Sequence, residues 1–443
     1  MFEKEEKKLQ EWKKEYTNIK VPGDIDDFIR SGIRKGKERS RPPFWRIGMV
    51  AASILLIIFL TTIRVSPAFA NYVSTIPGFE RIVELVRHNK GIMSAVENDY
   101  LQEVGITREE NGVSLTIDAI IVDETQMLVF YTIESERDLS SIRLNDIRLK
   151  SETGETLEPY GLGYGGHDDI DKGRKISGEL QVTYPDGMVI PERFTLETGL
   201  KENEIELAEG FTFPIEVDIA KFSAIIKEIQ INETVETGGQ SIHFEKLEIH
   251  PTRIALFMSY QETNSHKIFR FDDIALEDDK GNKWIHDGTT ITEDNEQVLY
   301  FQSNYFSEPE NLDLVFSSFT ALPKEELEVV VDLETESIIK APSDGRLKKF
   351  WVENEMEDFN GLYFQIEIDE EDQNYFFSIF ESNIIDRTGT SHSYNTRTYG
   401  TEEEVSLYEQ GLIVDTEKLV SPVTLTIADY PSRIREEVRL KIK

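Results

Sequence analysis

Gly112–Val122 reads GVSLTIDAIIV, and 127 positions further on Gly239–Ile249 reads GQSIHFEKLEI. Behind each glycine, apolar residues alternate with polar ones, the period-two pattern of a strand that buries one face. Leu115, Ile117, Ile120 and Val122 of the first copy fall opposite Ile242, Phe244, Leu247 and Ile249 of the second. Without a gap the match runs over Gly112–Gly154 and Gly239–Gly281, where Thr125/Thr252, Phe130/Phe257, Arg143/Arg270 and Asp146/Asp273 are identical. Each copy closes on a related strand, Phe213–Asp218 and Leu327–Asp332. The repeat predicts a mainly β fold of two or three tandem Ig-like β-sandwich domains, because short alternating strands punctuated by turns over roughly 110–130 residues fit that architecture. The expected domains are 106–221, 222–340 and a third at 341–443, where Asp386-Arg387-Thr388-Gly389 stands in place of the earlier glycine turn.

Upstream of the repeats, Ile47–Ile63 (IGMVAASILLIIFLTTI) carries no charge. Taken with its flanks as residues 44–64, it is long enough as a helix to cross about 30 Å of hydrocarbon. Arg30, Arg34, Lys35, Lys37, Arg39, Arg41 and Arg46 precede it, and only Arg64 closely follows. That asymmetry places the N-terminus in the cytoplasm and the C-terminal region outside the cell membrane. A retained anchor is the expectation, since the leader and the apolar core are both longer than those of a secretory signal. Ala68-Phe69-Ala70 also fits a small-x-small cleavage site, so processing after Ala70 stays open as the alternative.

The formal charge is −36, and residues 65–443 alone carry −41. An acidic outer surface repels nucleic acid and anionic lipid while favouring basic partners. With no cysteine, the outer part has neither disulfides nor thiol chemistry and must rest on packed cores. Residues 1–43 read as two short amphipathic helices broken at Val21-Pro22-Gly23-Asp24. Leu9, Trp12 and Tyr16 share one face of the first, and Ile25, Phe28 and Ile33 one face of the second. So short a segment seldom builds its own core. Its stripes fit either a cytoplasmic partner protein or the inner face of the lipid bilayer. Residues 65–105 are expected to form a juxtamembrane helical spacer, with Phe79, Ile82, Val83 and Val86 on one face and Asn89-Lys90-Gly91 ending the helix.

Five blocks carry a family resemblance: Val65-Ser66-Pro67-Ala68-Phe69-Ala70, Ile76-Pro77-Gly78-Phe79-Glu80, Lys90-Gly91-Ile92, Ala95-Val96-Glu97-Asn98 and Ile121-Val122-Asp123-Glu124. Over residues 20–135 the chain resembles a family of single-pass membrane proteins from Firmicutes that is described as a domain of unknown function. Residues 225–340 are similar to a companion domain of unknown function. The resemblance implies an inner amphipathic segment, one crossing and an outer β-rich part. It also implies an anti-sigma role, because such proteins are often encoded beside a sigma factor of the extracytoplasmic-function (ECF) class. No catalytic or binding residue is defined for the family, and the His-x-x-x-Cys-x-x-Cys pattern of zinc-containing anti-sigma domains is missing here.

Enzyme motifs are absent as well. The seven histidines show no metal spacing, and no nucleophile elbow, phosphate loop or dinucleotide fingerprint occurs. No enzyme activity and no cofactor are expected. The acidic loops Tyr160–Asp171 and Glu277–Asn282 offer oxygen ligands for calcium but lack the EF-hand order, so a solvated loop and a hairpin turn are the simpler readings. Two functions therefore stand side by side. One is a transmembrane regulator that couples outer β domains to a cytoplasmic partner such as an ECF sigma factor. The other is an anchored surface protein that binds an extracellular ligand or cell-wall component, with no signalling role.

Overall fold

In a computed structural model the chain divides into two compact units, Met1–Thr75 and Ile76–Lys443. The structure describes residues 79–443 except 141, 160, 166–171, 185–189, 204, 292–295, 357–358, 373–377 and 400–406; before residue 79 it describes Lys8, Lys13 and Arg30, all helical and exposed. The apolar run, the stripe residues Leu9, Trp12, Tyr16, Ile25, Phe28 and Ile33, and the cleavage candidates Ala68 and Ala70 lie outside the described residues. Among the described residues, no helix is long and apolar enough to cross a membrane.

The second unit is mainly β. It opens with helices α1 (Phe79–Val86) and α2 (Lys90–Glu97). The first repeat follows as β1 (Gln102–Glu110), β2 (Val113–Val122), β3 (Gln126–Ser140), β4 (Ile142–Ser151), β5 (Thr156–Leu157), β6 (Gly161–Gly165), β7 (Lys172–Thr183), β8 (Arg193–Glu202) and β9 (Ile205–Glu216). Its two sheets run β1-β2-β3-β7-β6 and β5-β4-β8-β9. The short helix α3 (Ile219–Phe222) leads to the second repeat: β10 (Lys227–Thr237), β11 (Gln240–Ile249), β12 (Arg253–Tyr260), β13 (His266–Phe271), β14 (Ala275–Glu277), β15 (Lys283–Ile291), β16 (Glu296–Gln302) and β17 (Asp313–Pro323). Here β10-β11-β12-β16-β15 continues through β14 and β17 to β13, and Phe244, Leu256, Phe301, Leu314 and Phe319 fill the core between the two halves.

Strand registers repeat with the 127-residue offset. Gln102 pairs with Ile120 and Ile229 with Leu247; Ile106 pairs with Ile117 and Glu233 with Phe244. Each β1–β2-type pair is bulged at the same place, between Glu103 and Ile106 and between Gln230 and Glu233. Asn111-Gly112 and Gly238-Gly239 turn these hairpins, all four with positive φ between 53° and 77°. Two consecutive left-handed residues are what a tight turn matched to strand twist requires, and asparagine and glycine adopt them at least cost. The glycine turns after β4, after β14 and in the third region share one pattern as well. Gly154 donates to Ser151 O, Gly281 to Asp278 O and Gly389 to Asp386 O.

The third region contains β18 (Glu328–Asp332), β19 (Ser337–Lys340), β20 (Leu347–Met356), β21 (Phe359–Glu367), β22 (Phe380–Asp386), β23 (Ser391–Ser393), β24 (Asn395–Tyr399), β25 (Leu407–Val414), β26 (Val423–Ile427) and β27 (Arg433–Lys441). Its sheets run β19-β18-β26-β22-β23 and β20-β21-β25-β24. The expected boundary at 340/341 does not follow these sheets. β18 and β19 belong to the third region, where Val329 and Val331 pack with Phe364, Phe380 and Leu425. In the other direction, β27 leaves that region and pairs with β17 of the second repeat.

A further difference lies at 65–105. Residues 102–105 belong to β1, and α1 and α2 are not a free spacer. Ile82, Val86, Ile92, Ala95, Val96 and Leu101 are each at most 3% exposed. Nor does Asn89 terminate a helix; it caps the start of α2. Strand β2 alternates from Val113 to Ile117 and then is continuously buried from Ala119 to Val122. Alternation is lost where a sheet is covered on both faces.

Candidate functional site

Three of the blocks behind the family resemblance, Lys90-Gly91-Ile92, Ala95-Val96-Glu97-Asn98 and Ile121-Val122-Asp123-Glu124, lie at or beside the junction where α1, α2 and both repeats meet; Val65–Ala70 and residues 76–78 lie outside the described residues. At the start of α2, the Asn89 side-chain oxygen accepts from the amides of Gly91 and Ile92 at 3.1 Å each, which satisfies two of the first-turn donors. The Asn89 amide in turn donates to Asp287 Oδ2 on β15 at 3.2 Å. Gly91 is pressed on the loop after β16, so that a Cβ there would lie 2.3 Å from the Ser303 nitrogen. Gln302 Nε2 donates to the His88 carbonyl at 3.0 Å, and Lys90 Nζ to the Lys283 carbonyl at 3.1 Å. On the other side, Arg81 of α1 reaches Ser177 Oγ on β7 at 3.3 Å. The helix pair thus holds the first repeat through α1 and the second through α2. Fully burying side chains such as Ile82, Val86, Ile92 and Val96 contributes about 1.5–3 kcal/mol each.

Below the helices, the β2–β3 turn of the first repeat faces the β11–β12 turn of the second, its equivalent under the 127-residue shift. The Asp123 carboxylate, 5% exposed, serves both. Its Oδ1 accepts from the Thr125 amide (2.9 Å), Thr125 Oγ1 (2.7 Å) and the Gln126 amide (3.2 Å). Its Oδ2 crosses to the Thr252 amide (3.0 Å) and Thr252 Oγ1 (2.5 Å). Arg253 answers from the second repeat, donating to Thr125 Oγ1 at 2.9 Å and to the Thr125 carbonyl at 3.0 Å, while its guanidinium lies 3.8 Å above the Tyr300 ring. Gln126 Nε2 donates to Thr252 Oγ1 at 2.8 Å. Thr125 and Thr252 are repeat equivalents, as are Gln126 and Arg253, so the two turns clasp in a near-symmetric way.

The repeat equivalent of Asp123 is His250, 3% exposed. Its carbonyl accepts from Ser303 Oγ at 2.5 Å. Its ring lies between two carboxylates, with Nδ1 3.7 Å from Glu124 and Nε2 3.7 Å from Glu248. Other acids at this junction are displaced in their titration. Burial, and then the neighbouring Asp287, push the Glu179 carboxyl up to about 7, and burial also raises Asp287. Burial pushes Asp118 up to about 6 although Thr132 Oγ1 donates to it at 2.7 Å. The phenols of Tyr100 and Tyr184 are raised by burial first and by Asp123 second. Tyr100 closes the junction from below, donating to the Phe222 carbonyl at 3.0 Å with its ring edge-on to Phe222.

A second lock joins the second repeat to the third region. Arg433 on β27, its side chain 2% exposed, reaches Asp272 at 3.0 Å, Asp369 at 3.1 Å and the buried Asp372. Arg270 on β13 adds Asp372 at 3.0 Å and Asp429 at 3.4 Å. Nothing in the local sequence marks these residues as partners, because the arginines and acids are up to 161 positions apart.

Of the chemistry weighed from sequence, the described residues bring little together. Among them, no group of three or more His, Cys, Asp or Glu side chains is arranged to hold a metal ion. Asp278 in the acidic run Glu277–Asn282 spends its carboxylate on the turn, accepting from the amides of Lys280 and Asn282 at 2.9 and 2.8 Å and from Asn282 Nδ2 at 2.7 Å. Residues 166–171 of the other acidic run lie outside the described residues. A pocket of about 280 Å³ opens among Ile229, Ile249, Tyr305 and Leu312, just below the size range of small-molecule sites.

Residues 40–135 match the model described as Domain of unknown function (DUF4179), and residues 226–344 the model described as Family of unknown function (DUF5643). The chain carries one domain of each family. Within the DUF4179 segment, Gly91 presses on Ser303 and Asp123 bonds Thr252, both in the DUF5643 segment. No curated protein matches the chain. Among solved structures, a conserved domain protein from Bacillus anthracis is similar at 18% identity with a TM-score of 0.36, over 54% of this chain and 84% of that one.

Proposed function

We propose that this protein is a single-pass regulator of the cell membrane, anti-sigma-factor-like, with a cytoplasmic N-terminus and an outer array of Ig-like β-sandwiches. The observation that carries the reading is the docking of residues 79–101. The first described chain after the apolar run is buried and bonded to both repeats, through Arg81 to the first and through Asn89, Lys90 and Gly91 to the second, so a rearrangement of the repeats acts directly on the segment that leads to residues 44–64. A simple tether would have no reason to bury six apolar side chains there. On the inner side, Leu9, Trp12, Tyr16, Ile25, Phe28 and Ile33 supply apolar anchors for a cytoplasmic partner, an ECF sigma factor being the class that the family resemblance suggests. A single helix transmits shape poorly, and cleavage near Ala68 to Ala70 or altered oligomerisation serves better as the signal.

Co-purification from membranes tests this. The full chain should bring down the sigma factor encoded beside it, and Trp12→Ala with Phe28→Ala should abolish capture; retained capture would remove those anchors from the account. Reporter fusions at both ends check the topology. The second reading, a membrane-anchored surface protein that binds a cell-wall component or other extracellular ligand, rests on the strongly acidic outer part. Deleting residues 2–40 separates the two, since a surface role survives the deletion and a regulatory one does not.

A further inference from the structure

The near-symmetric clasp is asymmetric at one position, and the asymmetry is chemical. Where the first repeat places a carboxylate, Asp123, the second places an imidazole, His250. Both turns keep the same backbone bond: Asp123 N donates to Gln126 O at 3.0 Å and His250 N to Arg253 O at 2.9 Å. The Asp123 carboxylate reaches across and is fully engaged. The His250 ring is as deeply buried, yet neither Nδ1 nor Nε2 has a hydrogen-bond partner. A buried polar atom in that state costs free energy until something satisfies it. Glu124, from the opposite repeat, and Glu248, from β11, flank the ring on its two nitrogens at 3.7 Å each. A movement of under about 1 Å would bring either to hydrogen-bonding distance.

We propose that His250 is a proton-operated clasp between the two repeats: when the ring takes up a proton it donates to Glu124 and Glu248 at once, and tightens the turn of the first repeat on that of the second. Histidine is the side chain suited to such a role, since its charge ordinarily changes between pH 5 and 8. The surrounding charges fit. Glu124 is 46% exposed and free to swing inward, whereas Glu248 is steadied by Lys246, whose Nζ lies 2.7 Å away. Arg253 is committed to Thr125 and the Tyr300 ring, and Asp123 to Thr252, so neither competes for the imidazole. The Tyr100 and Tyr184 phenols stay neutral, their titration pushed up by burial. The chain of contact continues outward. Ser303 bonds the His250 carbonyl, and Gly91 of α2 presses on Ser303. Acidification of the outer compartment therefore stiffens the seat of the helix pair. The inference concerns the junction alone and stands whether or not the chain signals to a sigma factor.

Hydrogen exchange on the full chain tests it, followed by mass spectrometry in peptides covering residues 119–128 and 249–257 and corrected for intrinsic rates. Between pH 7.5 and 5.5, protection of both peptides should rise about fivefold, the scale of one partly screened ion pair. His250→Gln should flatten that rise. Glu124→Gln, at a half-exposed position that leaves the core intact, should reduce it by half or more. Titration of Glu179 adds a response of the same sign, so the readout is the difference between each variant and the parent, and Glu179→Gln should leave that difference unchanged. An undiminished pH response in Glu124→Gln, or in a folded His250→Gln, would overturn the proposal.

Discussion

Gly91→Ala is the sharpest probe of the docked helices. The added methyl would stand 2.3 Å from the nitrogen and 2.9 Å from the Cα of Ser303. Both are backbone atoms that cannot rotate away. Ordinary carbon contacts lie near 3.5 Å, so α2 must lift by about 1 Å along the direction that seats Ile92, Ala95 and Val96. Overpacking of this kind costs about 1–3 kcal/mol. Alanine is a better helix former than glycine by at most about 1 kcal/mol, and at the second position of a helix less of that is realised. The net expectation is a loss of about 1–2 kcal/mol, or an opening of α2 roughly 5 to 30 times more frequent. Hydrogen exchange and limited proteolysis of residues 79–101 in the full chain read this directly. Gly210→Ala is the control, since a Cβ there meets nothing within 4 Å. Unchanged or slower exchange in α2 of Gly91→Ala would refute the claim that this glycine sets the contact.

Three further outcomes follow from the geometry. Asp123→Ala removes the acceptor of five hydrogen bonds, two of them across the repeats, and should cost about 3 kcal/mol; urea titration followed at the repeat junction measures it. Arg433→Leu leaves Asp372 buried without its closest cation and should destabilise the joint between the second repeat and the third region by about 3–5 kcal/mol, seen as a lower denaturation midpoint. For Glu179, burial and Asp287 raise the folded-state value from 4.5 to about 7. The folded form therefore holds the proton more tightly, and the associated stability is complete below pH 4.5 and disappears as the pH climbs through 7. Glu179→Gln should be the more stable protein at pH 8, by about 3 kcal/mol, with the difference vanishing near pH 4; equal midpoints at both pH values would contradict the assignment.

How much of this was legible in the sequence depended on whether the signal was local. The repeat was readable because alternation and the Asn111-Gly112 and Gly238-Gly239 turns are fixed by neighbouring residues, and the registers then follow. Helices α1 and α2 were visible as apolar faces, but an eight-residue stripe looks the same whether it covers a sheet or awaits a partner. Asn89 was ambiguous in kind, since asparagine suits both a helix end and a helix start. The clasp was half visible: Thr125/Thr252 stood out as an identity, yet Asp123 and His250 differ, and nothing in a shift alignment says that equivalent turns touch. Ion partners such as Arg433 and Asp272 lie too far apart for any spacing rule. Strand β27 carries no local mark of its destination, because its exposed charges fit an edge strand of either neighbouring sheet.

That last strand has a consequence for biosynthesis. Arg433–Lys441 lines the flank of Asp313–Pro323, and Ile434, Val438 and Leu440 seal the middle core. The ribosome delivers those residues more than a hundred positions after the strand they complete. Until then the nascent middle repeat presents an open hydrogen-bonding margin, the sort of ledge on which unrelated chains accrete. An excised piece ending at residue 344, where the DUF5643 match stops, would be left in that unfinished condition for good.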